Sequence, residues 1–271
     1  MLGAITGDII GSIYENQNIK TTDFPLFSRH SRFTDDSVLT VAIADAVMHR
    51  TIHTYPILNY FNSRNMYATK IKTYGCRYPQ AGYGASFKRW LASESLRGYG
   101  SYGNGSAMRV SPIGFAFDTL ETTLREAYRS AVVTHNHREG IKGAQAIVGA
   151  VFLARTTQDK SAIRDFIQSH IGYDLTETIA QIRDYYTFDS SCQGSVPQAI
   201  TAFLELENFE DAIRKAVSSG GDSDTIACMA GSIAHAYYGE IPAEIKNQVR
   251  FILDGQLKII VDQFMTKYAI S

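Results

Sequence analysis

Two short acidic stretches of this 271-residue chain contain residue types that suit the binding of hard metal ions. Each stretch combines two aspartates with a threonine, and oxygen donors of this kind favour Mg²⁺, Mn²⁺ or Ca²⁺ over zinc. The six residues are Thr34, Asp35 and Asp36 in the first stretch and Asp222, Asp224 and Thr225 in the second. Both stretches stand directly before a helix-forming run, at 38–50 and 226–238, so each also has the composition of an ordinary helix N-cap.

The two stretches have a further meaning if folding brings them together. Four carboxylates in one pocket cannot all stay ionised without compensating charge, and two divalent cations would supply that charge. Gly220 and Gly221 allow a tight backbone approach that a plain N-cap does not need. Cys76, Cys192 and Cys228 are far apart and lack metal-ligand spacing, which argues against a cysteine-based zinc site. The sequence leaves open whether the two stretches meet.

Two more acids lie near the beginning of the chain. Glu15 follows a segment in which Gly3, Gly7 and Gly11 recur every four residues, so these glycines share one helix face and allow close packing. Asp8 lies near that face. Taken alone, Asp8 is typical of a buried structural acid or cap, and Glu15 is typical of a solvated side chain.

Two glycine-containing loops have the composition of an anion-binding site, because their backbone N–H groups can point at one ligand. The candidate ligand-binding residues in these loops are Gly82, Tyr83 and Gly84 in the first and Gly103, Asn104, Gly105, Ser106 and Met108 in the second. The same patterns are also common in simple turns. Arg109, which follows the second loop, is suited equally to a phosphate contact and to a buried structural pair.

His135 and His137 belong to a third polar segment. Histidines two residues apart do not share a helix face, so metal binding by this pair is disfavoured. We expect His135 to hydrogen-bond a polar ligand and His137 to have a structural role. Val196 and Pro197 indicate a helix start with proline in its first turn.

These residues must be positioned by helices. Apolar residues recur with helical spacing around the runs at 38–50, 163–171, 179–186, 226–238 and 252–264, and no stretch alternates with a period of two. Loops are predicted where Gly, Asn, Ser and Tyr cluster, at 15–33, 72–86, 97–107, 156–160 and 187–195. The fold class predicted from this pattern is all-α, with a single domain over residues 1–271.

Composition narrows the possible functions. The formal net charge is −1, which argues against broad electrostatic capture of nucleic acid. The longest uncharged apolar stretches, at 143–154 and 225–239, are shorter than the ~20 residues needed to span a bilayer. The first residues lack the basic region of a secretory signal. We therefore expect a cytoplasmic protein with reduced cysteines, no membrane partner and no nucleic-acid substrate.

The ordered set of motifs resembles the ADP-ribosylglycohydrolase family, which includes the dinitrogenase-reductase-activating glycohydrolase. The motifs are Glu15 after the glycine-spaced segment and the stretches at 34–36, 103–109, 134–135, 196–199 and 220–225. The resemblance implies a compact orthogonal helical bundle with a central site for two divalent cations, Mg²⁺ or Mn²⁺. It also implies hydrolysis of the C1″ bond that joins ADP-ribose to a protein side chain or a small acceptor.

The resemblance also implies roles for the residues. The metal ligands would be Thr34, Asp35, Asp36, Asp222, Asp224 and Thr225, and the catalytic residues would be Glu15, Asp35, Asp36 and Asp224. The substrate would contact Gly82, Tyr83, Gly84, Gly103, Asn104, Gly105, Ser106, Met108 and His135. We favour attack by an activated water over a covalent glycosyl-enzyme, because carboxylates bound to cations are poor nucleophiles.

Departures from the family pattern bear on the substrate. Ser37 and Ser223 stand where threonine is common, and both keep a hydroxyl. Residues 77–81 contain no acid, whereas the nitrogenase-linked branch has an aspartate there that serves arginine-linked substrates. Arginine-linked ADP-ribose is therefore in doubt, and serine-linked, O-acetyl- and other conjugates stay open. The alternatives are a catalytically silent ADP-ribose-binding or structural member of the fold, and a metal-dependent phosphohydrolase that cleaves the pyrophosphate.

Overall fold

The computed structural model describes residues 1–50 and 56–270 of the chain. In this part of the chain every regular element is a helix, apart from one isolated β-bridge between Gly103 and Ser191. The helices are α1 Leu2–Gly11, α2 Asp35–Met48, α3 Pro56–Arg77, α4 Ala85–Ala92, α5 Gly105–Met108, α6 Ser111–Ala116, α7 Leu120–Ala131, α8 Arg138–Thr157, α9 Lys160–Asp165 followed by a π-helical turn Phe166–Ile171, α10 Ile179–Tyr185, α11 Cys192–Leu204, α12 Phe209–Ser218, α13 Ser223–Tyr238, α14 Ala243–Ile252 and α15 Gly255–Lys267. The prediction of an all-α fold is confirmed.

The centre of the fold is built from helices rich in small residues. Every residue of α1 is buried, and α13 is buried from Ser223 to Ala236. A Cβ atom added to Gly7 would lie 2.0 Å from the carbonyl oxygen of Ala227, so the backbones of α1 and α13 touch. Helix α13 also packs against α8, α11 and α12, and the chain end closes over α2 through α15.

Helix α5 begins at Gly105, inside the predicted loop at 97–107, and three further element predictions need correction. The apolar run at 252–264 is not one helix, because Leu253 is extended and Asp254 caps a new helix by accepting a hydrogen bond from Gln256 N at 2.8 Å. Helix α3 continues to Arg77, into the predicted loop at 72–86. Pro197 does not begin its helix, since α11 starts five residues earlier, at Cys192, with Ser191 as its N-cap. Side-chain capping, which apolar periodicity does not register, set two of these boundaries.

Candidate metal centre and ligand cavity

The two acidic helix starts lie side by side in the folded chain. The hydroxyl of Thr225 donates a hydrogen bond to Asp36 Oδ2 at 3.2 Å, which joins the start of α13 to the start of α2. Carboxylate oxygens of Asp8, Asp36 and Asp224 all lie within 4.8 Å of one another, and so do those of Glu15, Asp222 and Asp224. The long separation in sequence is therefore closed by the packing of α1, α2 and α13.

Asp8 on α1 fixes the start of α2. Its carboxylate accepts hydrogen bonds from Thr34 N at 2.9 Å, from the Thr34 hydroxyl at 2.6 Å and from Ser37 N at 3.1 Å, and it also accepts one from the Ser37 hydroxyl. The nearby N–H of Asp35 donates to the carbonyl of Ala81 at 2.7 Å, which attaches the loop after α3. Sequence reasoning treated Asp8 as a structural acid. In the structure Asp8 has this structural role, and its carboxylate also belongs to the acidic cluster.

The start of α13 is held by backbone conformation and by neighbouring loops. Gly220 and Gly221 have φ values of +79° and +71°, which residues with a Cβ rarely adopt. Asn18 accepts a hydrogen bond from Gly221 N at 2.6 Å, and Asn104 donates to Asp222 Oδ2 at 2.8 Å. The two glycines therefore allow the tight backbone turn before α13, as the sequence predicted.

The carboxylates crowd one another in a poorly solvated place. Burial first, and then the neighbouring acids, raise the pKa values of Asp36 and Asp224 well above their usual range. The same causes raise the pKa of Asp35 to about 8. Within the described residues, Asp36 Oδ1 has no hydrogen-bond partner although it is buried. A set of buried, mutually repelling oxygen donors with one unpaired oxygen fits hard divalent cations.

A cavity of about 450 Å³ opens above the acids. Residues of both predicted loops line it, and so do all the predicted metal ligands. The predicted site residues in its wall are Glu15, Thr34, Asp35, Asp36, Gly82, Gly84, Gly103, Asn104, Gly105, Met108, His135, Asp222, Asp224 and Thr225. Sequence reasoning missed several other lining residues, namely Arg32, Gln80, Tyr99, Ser101, Phe188 and Ser190.

Two predicted ligand-binding residues lie behind the cavity wall. The ring of Tyr83 is buried against Phe87, with 5.0 Å between the ring centroids. The hydroxyl of Ser106 is buried and donates to the carbonyl of Gly140 at 2.7 Å. Both residues belong to glycine-rich motifs in the sequence, but in the fold their side chains support the cavity wall from behind.

Glu15, like Asp35, is only half-buried, whereas Asp8, Asp36, Asp222 and Asp224 are buried. Burial and the charge of Asp222 raise the pKa of Glu15, while the guanidinium of Arg32 acts in the opposite direction. Glu15 and Asp35 both lie in the cavity wall, so the site has two carboxylates with partial access to solvent.

Comparisons with known proteins identify the family of this chain. The model of the ADP-ribosylglycohydrolase family matches residues 1–269. ADP-ribosylhydrolase ARH3 of Xenopus tropicalis is 27% identical, over 89% of this chain and 86% of its own length. ADP-ribosylarginine hydrolase Tri1 of Pseudomonas putida is 25% identical, over 88% of this chain and 69% of its own length. A solved ADP-ribosylglycohydrolase-related protein complex has the same fold, with a TM-score of 0.67, 22% identity and 93% of each chain covered.

The chain belongs to the ADP-ribosylglycohydrolase family and is a hydrolase that acts on glycosidic bonds of ADP-ribose. None of the helices in the described part of the chain has the length and hydropathy required to cross a bilayer.

Proposed function

We propose that this enzyme uses two divalent cations, Mg²⁺ or Mn²⁺, to hydrolyse the C1″ bond of ADP-ribose conjugates and release ADP-ribose. The observation that carries the proposal is the meeting of the two acidic helix starts, where carboxylate oxygens of Asp8, Asp36 and Asp224 lie within 4.8 Å of one another. If these residues served only as helix caps, bringing their buried carboxylates together would destabilise the fold without any benefit.

The cations would be held by Thr34, Asp35, Asp36, Asp222, Asp224 and Thr225. When bound, they supply Lewis acidity to oxygen atoms of the ribose and of the attacking water. Asp8 holds Thr34 in place through its hydroxyl, and Asn104 holds Asp222 through its amide. These two neighbours fix the directions in which the proposed ligands point.

The remaining steps belong to residues in the cavity wall. Cleavage transfers the bonding electrons of C1″ to the acceptor atom, and the ribose develops oxocarbenium character before water adds to C1″. Glu15, half-buried beside the acids, orients that water and accepts its proton, and the departing acceptor atom takes up one proton in exchange, so that Glu15 returns to its starting state. The Gly103–Gly105 turn and His135 bind the pyrophosphate and ribose. A ribosyl adduct trapped on Asp36 or Glu15 and detected by mass spectrometry would contradict attack by water.

We expect a preference for conjugates other than arginine. Gln80, Ala81 and Gly82 line the cavity and none of the three is an acid, and Arg32 lines the same cavity. A second guanidinium brought in by an arginine acceptor would be repelled by Arg32. We expect kcat/KM for serine-linked or O-acetyl conjugates to exceed that for arginine-linked ADP-ribose by at least about tenfold, which corresponds to ~1.4 kcal/mol of barrier. Equal or higher kcat/KM on the arginine linkage would contradict this assignment.

The proposed function is tested by product analysis on a panel of linkages. The protein is stripped with a chelator and assayed with Mg²⁺, with Mn²⁺ and without metal on arginine-linked, serine-linked and O-acetyl substrates. Intact ADP-ribose, released only with metal, is the expected product. Release of AMP would support the phosphohydrolase, and binding of ADP-ribose without turnover on any linkage would support the silent member. The cytoplasmic location expected from the sequence stays a prediction.

A further inference from the structure

Three buried side chains form a hydrogen-bonded chain that ends at the cavity wall. Arg109 Nη2 donates to the hydroxyl of Thr134 at 2.8 Å and to the carbonyl of Ser130 at 2.9 Å. The Thr134 hydroxyl lies 2.7 Å from His135 Nδ1. Arg109 and Thr134 are fully buried, and His135 is 5% exposed. No carboxylate of the described residues forms an ion pair with Arg109, so the buried pair considered from the sequence is absent there.

The donors and acceptors of these three hydrogen-bonded side chains determine which ring nitrogen of His135 carries hydrogen. A guanidinium only donates, so the Thr134 oxygen must accept from Arg109. The hydroxyl has one proton of its own, and His135 Nδ1 is its other hydrogen-bond partner within the described part of the chain. If Nδ1 also carried hydrogen, that buried hydroxyl proton would have no acceptor, which is costly. Nδ1 therefore accepts.

The other ring nitrogen must then carry the hydrogen and face the cavity. Burial, reinforced by the charge of Arg109, lowers the pKa of His135 well below its usual range, so the ring is neutral and holds one proton. His135 Nε2 lies 3.1 Å from the position that a Cβ on Gly105 would occupy and 3.7 Å from that on Gly103. No residue in the described ranges forms a hydrogen bond with Nε2, and His135 lines the cavity.

We propose that Arg109 and Thr134 are positioning residues that hold His135 as its Nε2–H tautomer, so that His135, already proposed to contact ADP-ribose, can only donate at Nε2 and selects a pyrophosphate oxygen there. The inference rests on the proposed function for the identity of the ligand. Pyrophosphate oxygens only accept hydrogen bonds at neutral pH, whereas ribose hydroxyls can donate or accept. A fixed donor therefore distinguishes phosphate from a hydroxyl, and the hydrogen bond to an anion is the stronger kind.

The first test reads the tautomer directly and needs no catalysis. Long-range ¹H–¹⁵N NMR spectra of the imidazoles separate the two tautomers, and a His135→Gln variant identifies the resonance among the seven histidines. We expect a protonated Nε2 and an unprotonated Nδ1 in the ligand-free protein. Addition of ADP-ribose should shift the Nε2–H signal, and addition of adenosine should leave it in place. An Nδ1–H tautomer in the wild-type protein would overturn the proposal.

The second test removes the middle of the chain. Thr134→Val keeps the shape of the side chain but lacks the hydroxyl, so His135 should show a mixture of tautomers and the Kd for ADP-ribose should rise about tenfold. Thr134→Ser should restore both. Thr123→Val is the matched control, because among the described residues the buried hydroxyl of Thr123 donates only to the carbonyl of Thr119, the N-cap of its own helix, at 2.8 Å.

The outcomes separate this inference from the proposed function. Unchanged tautomer and unchanged Kd in Thr134→Val would overturn the inference alone. A wild-type protein that binds no ADP-ribose would overturn both the proposed function and the acceptor assigned to His135. If Thr134→Val fails to fold, the wild-type spectrum and Thr134→Ser still decide the tautomer.

Discussion

At the scale of single residues, the chemistry of this protein depends on carboxylates that are buried at a cost. The carboxylates of Asp36 and Asp224 are shielded from solvent and lie near other acids, and both causes raise their pKa values. Asp8 accepts enough hydrogen bonds to be partly satisfied, whereas one oxygen of Asp36 has no partner in the described part of the chain. A buried charge without a partner is destabilising unless a cation or a proton joins it. The acids are therefore better explained by a ligand than by stability.

The first prediction concerns two of the proposed metal ligands. Asp35→Ala and Asp224→Ala each remove one anionic oxygen donor, so kcat should fall below about a tenth of the wild-type value, a barrier increase of more than ~1.4 kcal/mol. The measurement is turnover of a serine-linked substrate at saturating Mn²⁺. Asp165→Ala, an exposed aspartate on α9, is the control and should keep full activity. Activity above a tenth in either cluster variant would contradict its role as a ligand.

At the scale of elements, the tight contact between α1 and α13 decides where the acids lie. A Cβ on Gly3, Gly7 or Gly11 would come within 2.5 Å of the backbone of α13. Because the three glycines allow this approach, Asp8 on α1 lies beside Asp224 at the start of α13. The four-residue spacing of these glycines predicted a close packing face, and the structure shows which helix packs there.

The second prediction follows from this contact. Gly7→Ala places a methyl group 2.0 Å from the carbonyl oxygen of Ala227, and neither backbone can yield without moving a whole helix. We expect the free energy of unfolding to fall by more than about 2 kcal/mol, since overpacking of a tight core costs ~1–3 kcal/mol or more. The measurement is equilibrium unfolding in urea.

Gly255→Ala is the matched control for that variant. Gly255 begins α15, and a Cβ there would meet no atom within 4 Å. This change should be neutral or slightly stabilising, by up to about 1 kcal/mol, because alanine restricts the unfolded chain. If Gly7→Ala were as stable as the wild type, the contact between α1 and α13 would have room for a methyl group, which would contradict this prediction.

At the scale of the whole molecule, helices from both ends of the chain enclose a cluster of like charges. Folding raises the pKa values of these acids, so the folded state binds protons more tightly than the unfolded state does. Their contribution to stability is therefore full at pH below the ordinary aspartate value of 3.8 and is lost as pH rises toward about 8, the value for Asp35. A divalent cation would remove this loss by replacing the protons.

The third prediction uses that linkage. Without metal, the Tm of the wild-type protein should fall relative to that of Asp36→Asn as pH rises from about 5 to 8, and each kcal/mol lost lowers Tm by about 2–4 °C. The comparison with Asp36→Asn is needed because neutral, buried His135 has a lowered pKa and acts with the opposite sign. Mg²⁺ or Mn²⁺ should restore the wild-type Tm at pH 8. If the difference in Tm between the wild type and Asp36→Asn did not change with pH, repulsion between the buried carboxylates would be contradicted.

Helical periodicity predicted much of the fold because it is a local property. The acidic run after Phe33 and the small-residue run after Gly221 both became buried helices with acids in their first turns. The break at Leu253 and the capped start at Ser191 were missed, since single side chains and backbone angles set them. The single domain expected over residues 1–271 stays a prediction.

The sequence by itself determined the residue types: aspartates and threonines at two helix starts, glycines on one face of α1, and a glycine-rich loop before Arg109. Only the tertiary structure decided that Asp36 and Asp224 share one pocket, that Asp8 joins them, and that Tyr83 and Ser106 lie behind the wall. The physical reason is that residue types act locally through capping and periodicity, whereas a site made from distant segments exists only after helix packing has closed the chain between them.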